Sequence, residues 1–112
     1  MEQKIAIPVV NGLLSAHFGH CQYFLIADVV DGEIKQITEE VPPPHEPGII
    51  PRWLSSKGVN TVLVGGIGQK AVALFRQFGV TPVIGVPEKD PRELIEDFLS
   101  DKLVTGANQC SH

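Results

Sequence analysis

The hydrophobic positions of this chain change their spacing near residue 42, and the change predicts two kinds of structure. Before that point, apolar and β-branched residues form runs typical of strands at Lys4–Val10, Tyr23–Val30 and Glu33–Val41. Pro8 predicts a bulge or an early end in the first of these strands, because proline removes a ladder donor. Asp31-Gly32 predicts a two-residue hairpin turn, so the Glu- and Lys-rich third strand returns beside the second, at the edge of the sheet.

After residue 42 the pattern alternates between helix and strand. The proline-rich segment Pro42–Gly48 excludes regular structure and predicts an exposed loop within one domain. Short apolar strands are then predicted at Thr61–Val64 and Pro82–Val86. Three helices alternate with them: one at Ile49–Lys57, one with an apolar face of Ala71, Leu74, Phe75 and Phe78, and one that starts at Asp90-Pro91.

This order of elements predicts an α/β fold with helices on both faces of a mixed, five-stranded sheet. Strands separated by helices imply right-handed crossovers and parallel pairing, and the hairpin adds an antiparallel strand. We expect residues 1–112 to form a single domain, since this length can bury a core. Residues 105–112, which end in Cys110-Ser111-His112, are expected to be a flexible tail.

Charge and composition narrow the function. The net charge is −4 and the nine basic residues are scattered, so nucleic-acid binding has little electrostatic support. No apolar run approaches the ~20 residues that span a bilayer. The first residues also lack the features of a signal peptide, and we therefore expect a cytoplasmic protein with no membrane partner. Its two cysteines are then expected to be thiols or ligands rather than a disulfide.

The most concentrated chemistry lies in His17-Phe18-Gly19-His20-Cys21, which holds two of the four histidines and one of the two cysteines. Imidazole and thiolate are ligands of zinc, copper and iron–sulfur species. On a helical turn all three side chains would share a face and could bind one metal, whereas on a strand His20 would point away. Alternatively, one His caps a turn and Cys21 is a small buried hydrophobe. A thiol-dependent enzyme that uses Cys21 with a neighbouring His is a further alternative.

A second candidate site is the glycine loop Gly65-Gly66-Ile67-Gly68, between a predicted strand and a predicted helix. Such glycines let backbone N–H groups approach an anion at a helix N-terminus, but they also serve tight turns and close packing. Gly66, Gly68 and Ala71 match the dinucleotide pattern G-x-G-x-x-A, with Glu88 as the ribose acid. We discount that reading, because too little chain follows Glu88 for the second half of such a fold.

Two other places carry soft ligands. Cys110 and His112 in the tail could fold back as a ligand pair, or they could be incidental residues of a disordered end. His45, in the proline-rich loop, is interpreted as merely exposed.

Three blocks of the chain resemble one known family. Lys4–Val9, Ser15–Cys21 and Gly65–Gly68 are similar to the dinitrogenase iron–molybdenum cofactor biosynthesis family, which includes NifX-like proteins and the C-terminal domain of NifB-like proteins. The resemblance extends over roughly residues 4–103. It implies a ribonuclease H-like three-layer α/β/α fold with strand order 3-2-1-4-5 and strand 2 antiparallel. A nuclease of that fold would need clustered carboxylates, and the first strand has none between Ile5 and Val10.

The resemblance also implies that the protein binds or carries an iron–sulfur or iron–molybdenum-type cluster and is not an enzyme. The implied partners are cluster donor or acceptor proteins, and the chain is expected to be a monomer or a weak homodimer. No nucleotide cofactor is expected under this reading. The alternative function is a small-molecule or nucleotide-binding regulatory module that uses the Gly65–Gly68 loop. The candidate metal ligands are His17, His20, Cys21, Cys110 and His112, and the candidate cofactor-binding residues are Asn11, Gly65, Gly66 and Gly68.

Overall fold

The computed structural model describes residues 2–16, 21–44 and 48–106. In these residues the strands are β1 (Glu2–Val10), β2 (Leu13–Leu14), β3 (Tyr23–Val30), β4 (Glu33–Glu40), β5 (Thr61–Leu63) and β6 (Thr81–Val83). The helices are α1 (Ile49–Ser56), α2 (Gln69–Gln77) and α3 (Pro91–Leu99). None of the helices in the described ranges has the length and apolar character needed to cross a membrane.

All of these strands belong to one mixed sheet in the order β4-β3-β1-β5-β6, with β2 paired to β1. β3 is antiparallel to β1 and to β4, whereas β5 is parallel to β1 and β6 is parallel to β5. Within the described residues the sheet therefore has six strands, and the prediction of five was wrong. The missed strand is β2, whose two residues are too few to produce a periodic signal.

The extra strand arises from a second tight turn. Asn11 and Gly12 have φ values of 52° and 81°, nearly the same as Asp31 and Gly32 at 52° and 79°. Positive φ at both central residues is the geometry of a two-residue hairpin turn. The turn at Asp31-Gly32 is confirmed, and the one at Asn11-Gly12 folds β2 back against the end of β1.

Pro8 neither bulges nor ends its own strand, so that prediction was wrong. β1 continues to Val10, and Pro8 lies opposite Phe24 of β3. The Pro8 carbonyl instead accepts a hydrogen bond from Ser15 N–H at 2.8 Å, on the side of β1 where β2 lies. The parallel pairs between β1 and β5 stop at Ala6 and Val62, just before Pro8. The missing N–H therefore coincides with the end of the parallel ladder.

Helices cover both faces of the sheet, which confirms the three-layer α/β/α architecture. Alternate residues of β1 point to opposite faces. One face packs against α3, in a core that includes Ile5, Ile7, Val9, Leu14, Leu63, Leu94 and Ile95. The other face packs against α1 and α2, in a core that includes Ala6, Phe24, Ile26, Leu54, Val62, Ile67 and Phe75.

The helix ends follow the signals in the sequence. The Asp90 carboxylate accepts a hydrogen bond from Glu93 N–H at 3.1 Å and caps α3, with Pro91 in its first turn. The last predicted strand is shorter than expected, because Gly85 has a φ of 81° and turns the chain soon after β6. That early turn helps to form the cavity described below.

Candidate functional site

A cavity of about 790 Å³ opens beyond the carboxyl ends of β5 and β6. In a sheet with parallel strands, this edge is where ligands commonly bind. Four segments line the cavity: Ala16, residues 65–66, residues 85–89 and residues 104–106. Two of the predicted cofactor-binding residues, Gly65 and Gly66, are among them.

Backbone hydrogen bonds hold the two glycine-bearing turns side by side. Gly85 N–H donates to the Gly65 carbonyl at 2.9 Å, and Val86 N–H donates to the Val64 carbonyl at 3.0 Å. A Cβ atom added at Gly65 would lie 3.4 Å from Leu14 Cδ2 and 3.5 Å from the carbonyl oxygens of Ala16 and Val86. These are ordinary van der Waals distances, so an alanine side chain would fit and packing alone does not require glycine at position 65.

Gly66 connects the glycine loop to the segment that leads into the His/Cys motif. Its N–H donates to the Ala16 carbonyl at 3.1 Å. Ala16 immediately precedes His17, so this bond fastens the start of the motif to the wall of the cavity. It also occupies the Gly66 N–H, and donation from that group to an anion would require the bond to Ala16 to open.

The far end of the motif is anchored to the same edge of the sheet. Gln22 N–H donates to the Val9 carbonyl at 2.8 Å, and the Gln22 side-chain oxygen accepts from Asn11 N–H at 3.0 Å. His17 and His20 lie outside the described residues, but the residues on both sides of the segment are fixed near the end of β1. The motif therefore leaves and rejoins the sheet at the edge where the cavity opens.

Cys21 is half-buried beside the core that α1 and α2 cover, and it does not belong to the described lining of the cavity. Burial raises the pKa of its thiol, and hydrogen bonds with the backbone of Cys21 and Val9 oppose that rise. A nucleophilic cysteine needs a lowered pKa. The described surroundings of Cys21 therefore do not supply the lowered pKa that the thiol-dependent enzyme would need.

The remaining predicted cofactor residues are not brought into the cavity. Asn11 is exposed in the β1–β2 turn, and Gly68 begins α2 without lining the cavity. Glu88 does line it together with Gly66, whereas Ala71 packs in the core under the helices. The dinucleotide pattern is thus divided between two places.

Two segments of the cavity lining, the turn that follows β6 and residues 104–106, were not predicted from the sequence. Gly85 follows β6 much as Gly65 follows β5, and that parallel could have pointed to a second cavity-lining turn. Gly106 N–H donates to the Gly85 carbonyl at 2.7 Å, which places the last described residue at the cavity wall. Nothing in the local sequence pattern indicated this contact.

No group of three metal-binding side chains occurs in residues 2–16, 21–44 and 48–106. The predicted ligands Cys110 and His112 lie outside the described residues, as does His45.

Comparisons with known proteins agree with the fold and with the family resemblance. The family model described as "Dinitrogenase iron-molybdenum cofactor" matches residues 1–101. An uncharacterized protein of Methanocaldococcus jannaschii is 36% identical over 105 residues, which cover 89% of this chain and 88% of that protein.

Solved structures show the same fold. The crystal structure of PH0822 has a TM-score of 0.86 and 28% identity, covering 93% of this chain and 96% of that one. The apo form of the orange protein from Desulfovibrio gigas has a TM-score of 0.74 and 21% identity, covering 95% of this chain and 94% of that one. Since the family model matches most of the sequence, the resemblance is confirmed, and this chain belongs to the dinitrogenase iron-molybdenum cofactor family.

Proposed function

We propose that this protein binds an iron–sulfur or molybdenum-containing cluster at the carboxyl edge of its sheet and passes it to another protein without chemical turnover. The observation that carries the proposal is the bond from Gly66 N–H to the Ala16 carbonyl, 3.1 Å long. It ties the start of the His17–Cys21 motif to a cavity that the fold forms beside it. Membership of the family supports a cluster as the cargo.

The size and lining of the cavity favour a polynuclear cargo. Its volume of about 790 Å³ is in the range of small-molecule sites and exceeds what one metal ion needs. The lining consists mainly of glycine backbone and aliphatic groups, with Glu88 and Lys89 as its charged side chains. Such a wall supplies few fixed ligands, so the cargo would depend on the motif and could be released.

In this proposal Cys21 supplies a thiolate, and His17 and His20 supply imidazoles. Because burial raises the pKa of the Cys21 thiol, binding must displace a proton from it. Loading of the cluster should therefore become more favourable as the pH rises toward the pKa of that thiol.

The reach of the chain supports the tail as a source of further ligands. Gly106 is held at the cavity wall, and Cys110 follows four residues later. An extended chain spans at most about 3.5 Å per residue, so the Cα of Cys110 lies within about 14 Å of the Cα of Gly106. Cys110 and His112 are therefore proposed as further ligands of the same cargo.

Anaerobic reconstitution with iron and sulfide, followed by absorption spectroscopy and metal analysis, tests the proposal. We expect the wild type to take up a cluster, and His17→Ala, His20→Ala and Cys21→Ala to take up less. His45→Ala is the matched control, because it removes an imidazole from the proline-rich loop. Equally low uptake by the wild type and by all three motif variants would contradict cluster binding.

Carriage requires a second experiment. The loaded protein is mixed with an apo iron–sulfur acceptor protein, and the two are separated and analysed for metal. We expect the cluster to move to the acceptor, and we expect the carrier to remain a monomer or a weak homodimer by light scattering. A cluster that stays on this chain in the presence of acceptor would contradict carriage. We expect this exchange to take place in the cytoplasm.

One observation favours a nucleotide-binding regulatory module as the alternative, since Gly65, Gly66 and Glu88 line the same cavity. A thermal-shift screen with nucleotides separates the two functions, because a ligand stabilises the folded state that binds it. Stabilisation that survives loss of His17, His20 and Cys21, but is lost in Gly66→Val, would favour the alternative.

A further inference from the structure

We propose that residues 103–106 form a strap along one side of the cavity, and that release of the strap speeds the exchange of cargo. The identity of the cargo rests on the proposed function above, but the strap itself does not. The strap is defined here as Leu103, Val104, Thr105 and Gly106.

The strap is fixed at both ends. Leu103 packs against the core on the α3 side of the sheet. At the other end, Gly106 N–H donates to the Gly85 carbonyl at 2.7 Å. Between these two points Val104 and Thr105 are exposed to solvent on one side, with 79% of Val104 accessible, and they line the cavity on the other. The strap is therefore a thin wall that two attachments hold in place.

The attachment at Gly85 depends on glycine for two independent reasons. Its φ of 81° is a conformation that other residues adopt only with strain. A Cβ atom at this position would also overlap the backbone of Gly106, whose carbonyl carbon would lie 2.8 Å away. No side chain stands between the strap and the turn after β6, and the two backbones can meet directly.

The two glycine-bearing turns of the cavity wall are joined to each other by more than one backbone hydrogen bond. Residues 65–66 and 85–86 follow adjacent strands and are joined by ladder-like hydrogen bonds, as described above. At Gly106 the strap is attached to the turn after β6 by a backbone hydrogen bond to Gly85. A single net backbone hydrogen bond changes an equilibrium only about fivefold. Loss of the bond between Gly106 and Gly85 is therefore expected to release this attachment at a low free-energy cost.

Gly85→Ala is the variant that should release the strap, and Gly79→Ala is its matched control. Gly79 has a φ of 79°, so alanine there suffers the same backbone strain, but its Cβ would meet no atom within 4 Å. A chain that ends after Leu103 removes the other three residues of the strap and keeps Leu103 in the core. If Gly85→Ala does not fold, the shortened chain still tests whether the strap limits access to the cavity.

The first readout needs no cargo. Ala16→Cys places a thiol on the cavity wall in a chain that also carries Cys21→Ser and Cys110→Ser, and its rate of alkylation by iodoacetamide reports access to the cavity. We expect the rate to rise about fivefold with Gly85→Ala or with the shortened chain, and to be unchanged with Gly79→Ala. Equal alkylation rates in the Ala16→Cys parent, in Gly85→Ala, in the shortened chain and in Gly79→Ala would overturn the proposal that the strap limits access.

The second readout uses cargo and keeps His17, His20, Cys21, Cys110 and His112 intact. Protein loaded with an iron–sulfur cluster is exposed to an iron chelator, and loss of the cluster should be about fivefold faster with Gly85→Ala than with Gly79→Ala. Faster alkylation with unchanged cluster loss would overturn control of exchange by the strap. If no variant takes up a cluster, the proposed function fails while the alkylation result still decides whether the strap limits access to the cavity.

Discussion

The side chain of Leu14 attaches the β1–β2 hairpin to the core. Shortening this side chain tests the placement of β2, the strand that was not predicted from the sequence. The side chain is 1% exposed, and its Cδ2 atom packs against Gly65 at the cavity. Leu14 N–H also donates to the Lys89 carbonyl at 3.0 Å. Leu14→Ala removes the buried aliphatic group and leaves those backbone bonds in place.

The expected loss of stability follows from the atoms removed. Three buried carbon groups contribute about 2.4 kcal/mol at ~0.8 kcal/mol each. The space left behind adds a cavity term, which brings the expected loss to about 3–4 kcal/mol. With a urea m-value near 1.5 kcal/mol/M, the unfolding midpoint should fall by about 2 M.

Urea unfolding followed by the fluorescence of Trp53 measures this loss. Trp53 is the only tryptophan, and its ring centroid lies 5.7 Å from that of Phe24. Both rings lie on the face of the sheet opposite to Leu14, so the fluorescence of Trp53 reports global unfolding. Leu13→Ala is the matched control, because Leu13 is the neighbouring residue of β2 and is 45% exposed. We expect it to cost only about 0.5 kcal/mol. Equal losses in the two variants would refute the placement of β2.

Three further predictions concern the cap of α3, the tyrosine and a turn. Asp90→Ala removes the acceptor of Glu93 N–H and should lower stability by about 1 kcal/mol in urea unfolding, whereas an unchanged midpoint would contradict the cap. Burial, and then the charge and hydrogen bond of Glu39, raise the pKa of Tyr23. Glu39→Gln should therefore lower that pKa in an absorbance titration, and no change would exclude the contact. Because the pKa of Tyr23 is higher in the folded state, its contribution to stability is fully present below the pKa of an unfolded tyrosine. That contribution is lost as the pH rises through the pKa of the folded state. Gly32→Ala places a side chain at a φ of 79° and should cost about 1–2 kcal/mol by thermal unfolding, and a neutral effect would contradict the turn.

The parts of the fold that were predictable rest on local chemistry. Asp31-Gly32 adopts the turn that its residue types favour, and Asp90-Pro91 begins a helix as a cap and a first-turn proline should. The alternation of strand and helix after residue 48 similarly indicated layers on both faces of the sheet. The turn and the helix cap could be predicted because each depends only on residues that are close together in the sequence.

The two wrong predictions, the number of strands and the effect of Pro8, both concern β1, with which β2 and β5 both pair. Asn11-Gly12 carries the same turn signal as Asp31-Gly32, but β2 is so short that only its pairing with β1 makes it a strand. Pro8 affected the ladder to β5 rather than its own strand, because its carbonyl turns toward Ser15. Neither outcome follows without knowing which segment lies beside β1.

The sequence by itself determined the chemistry of this protein: a soft-ligand motif at His17–Cys21, glycines after a buried strand, and a family resemblance that the comparisons confirm. Tertiary structure alone formed the cavity in which we propose that a cargo lies. The cavity joins Ala16 to Gly66 and Gly85 to Gly106 through backbone hydrogen bonds, and those partners are far apart in the chain. Backbone groups are the same in every residue, so their pairing leaves no mark in the sequence beyond the glycines that permit the close approach.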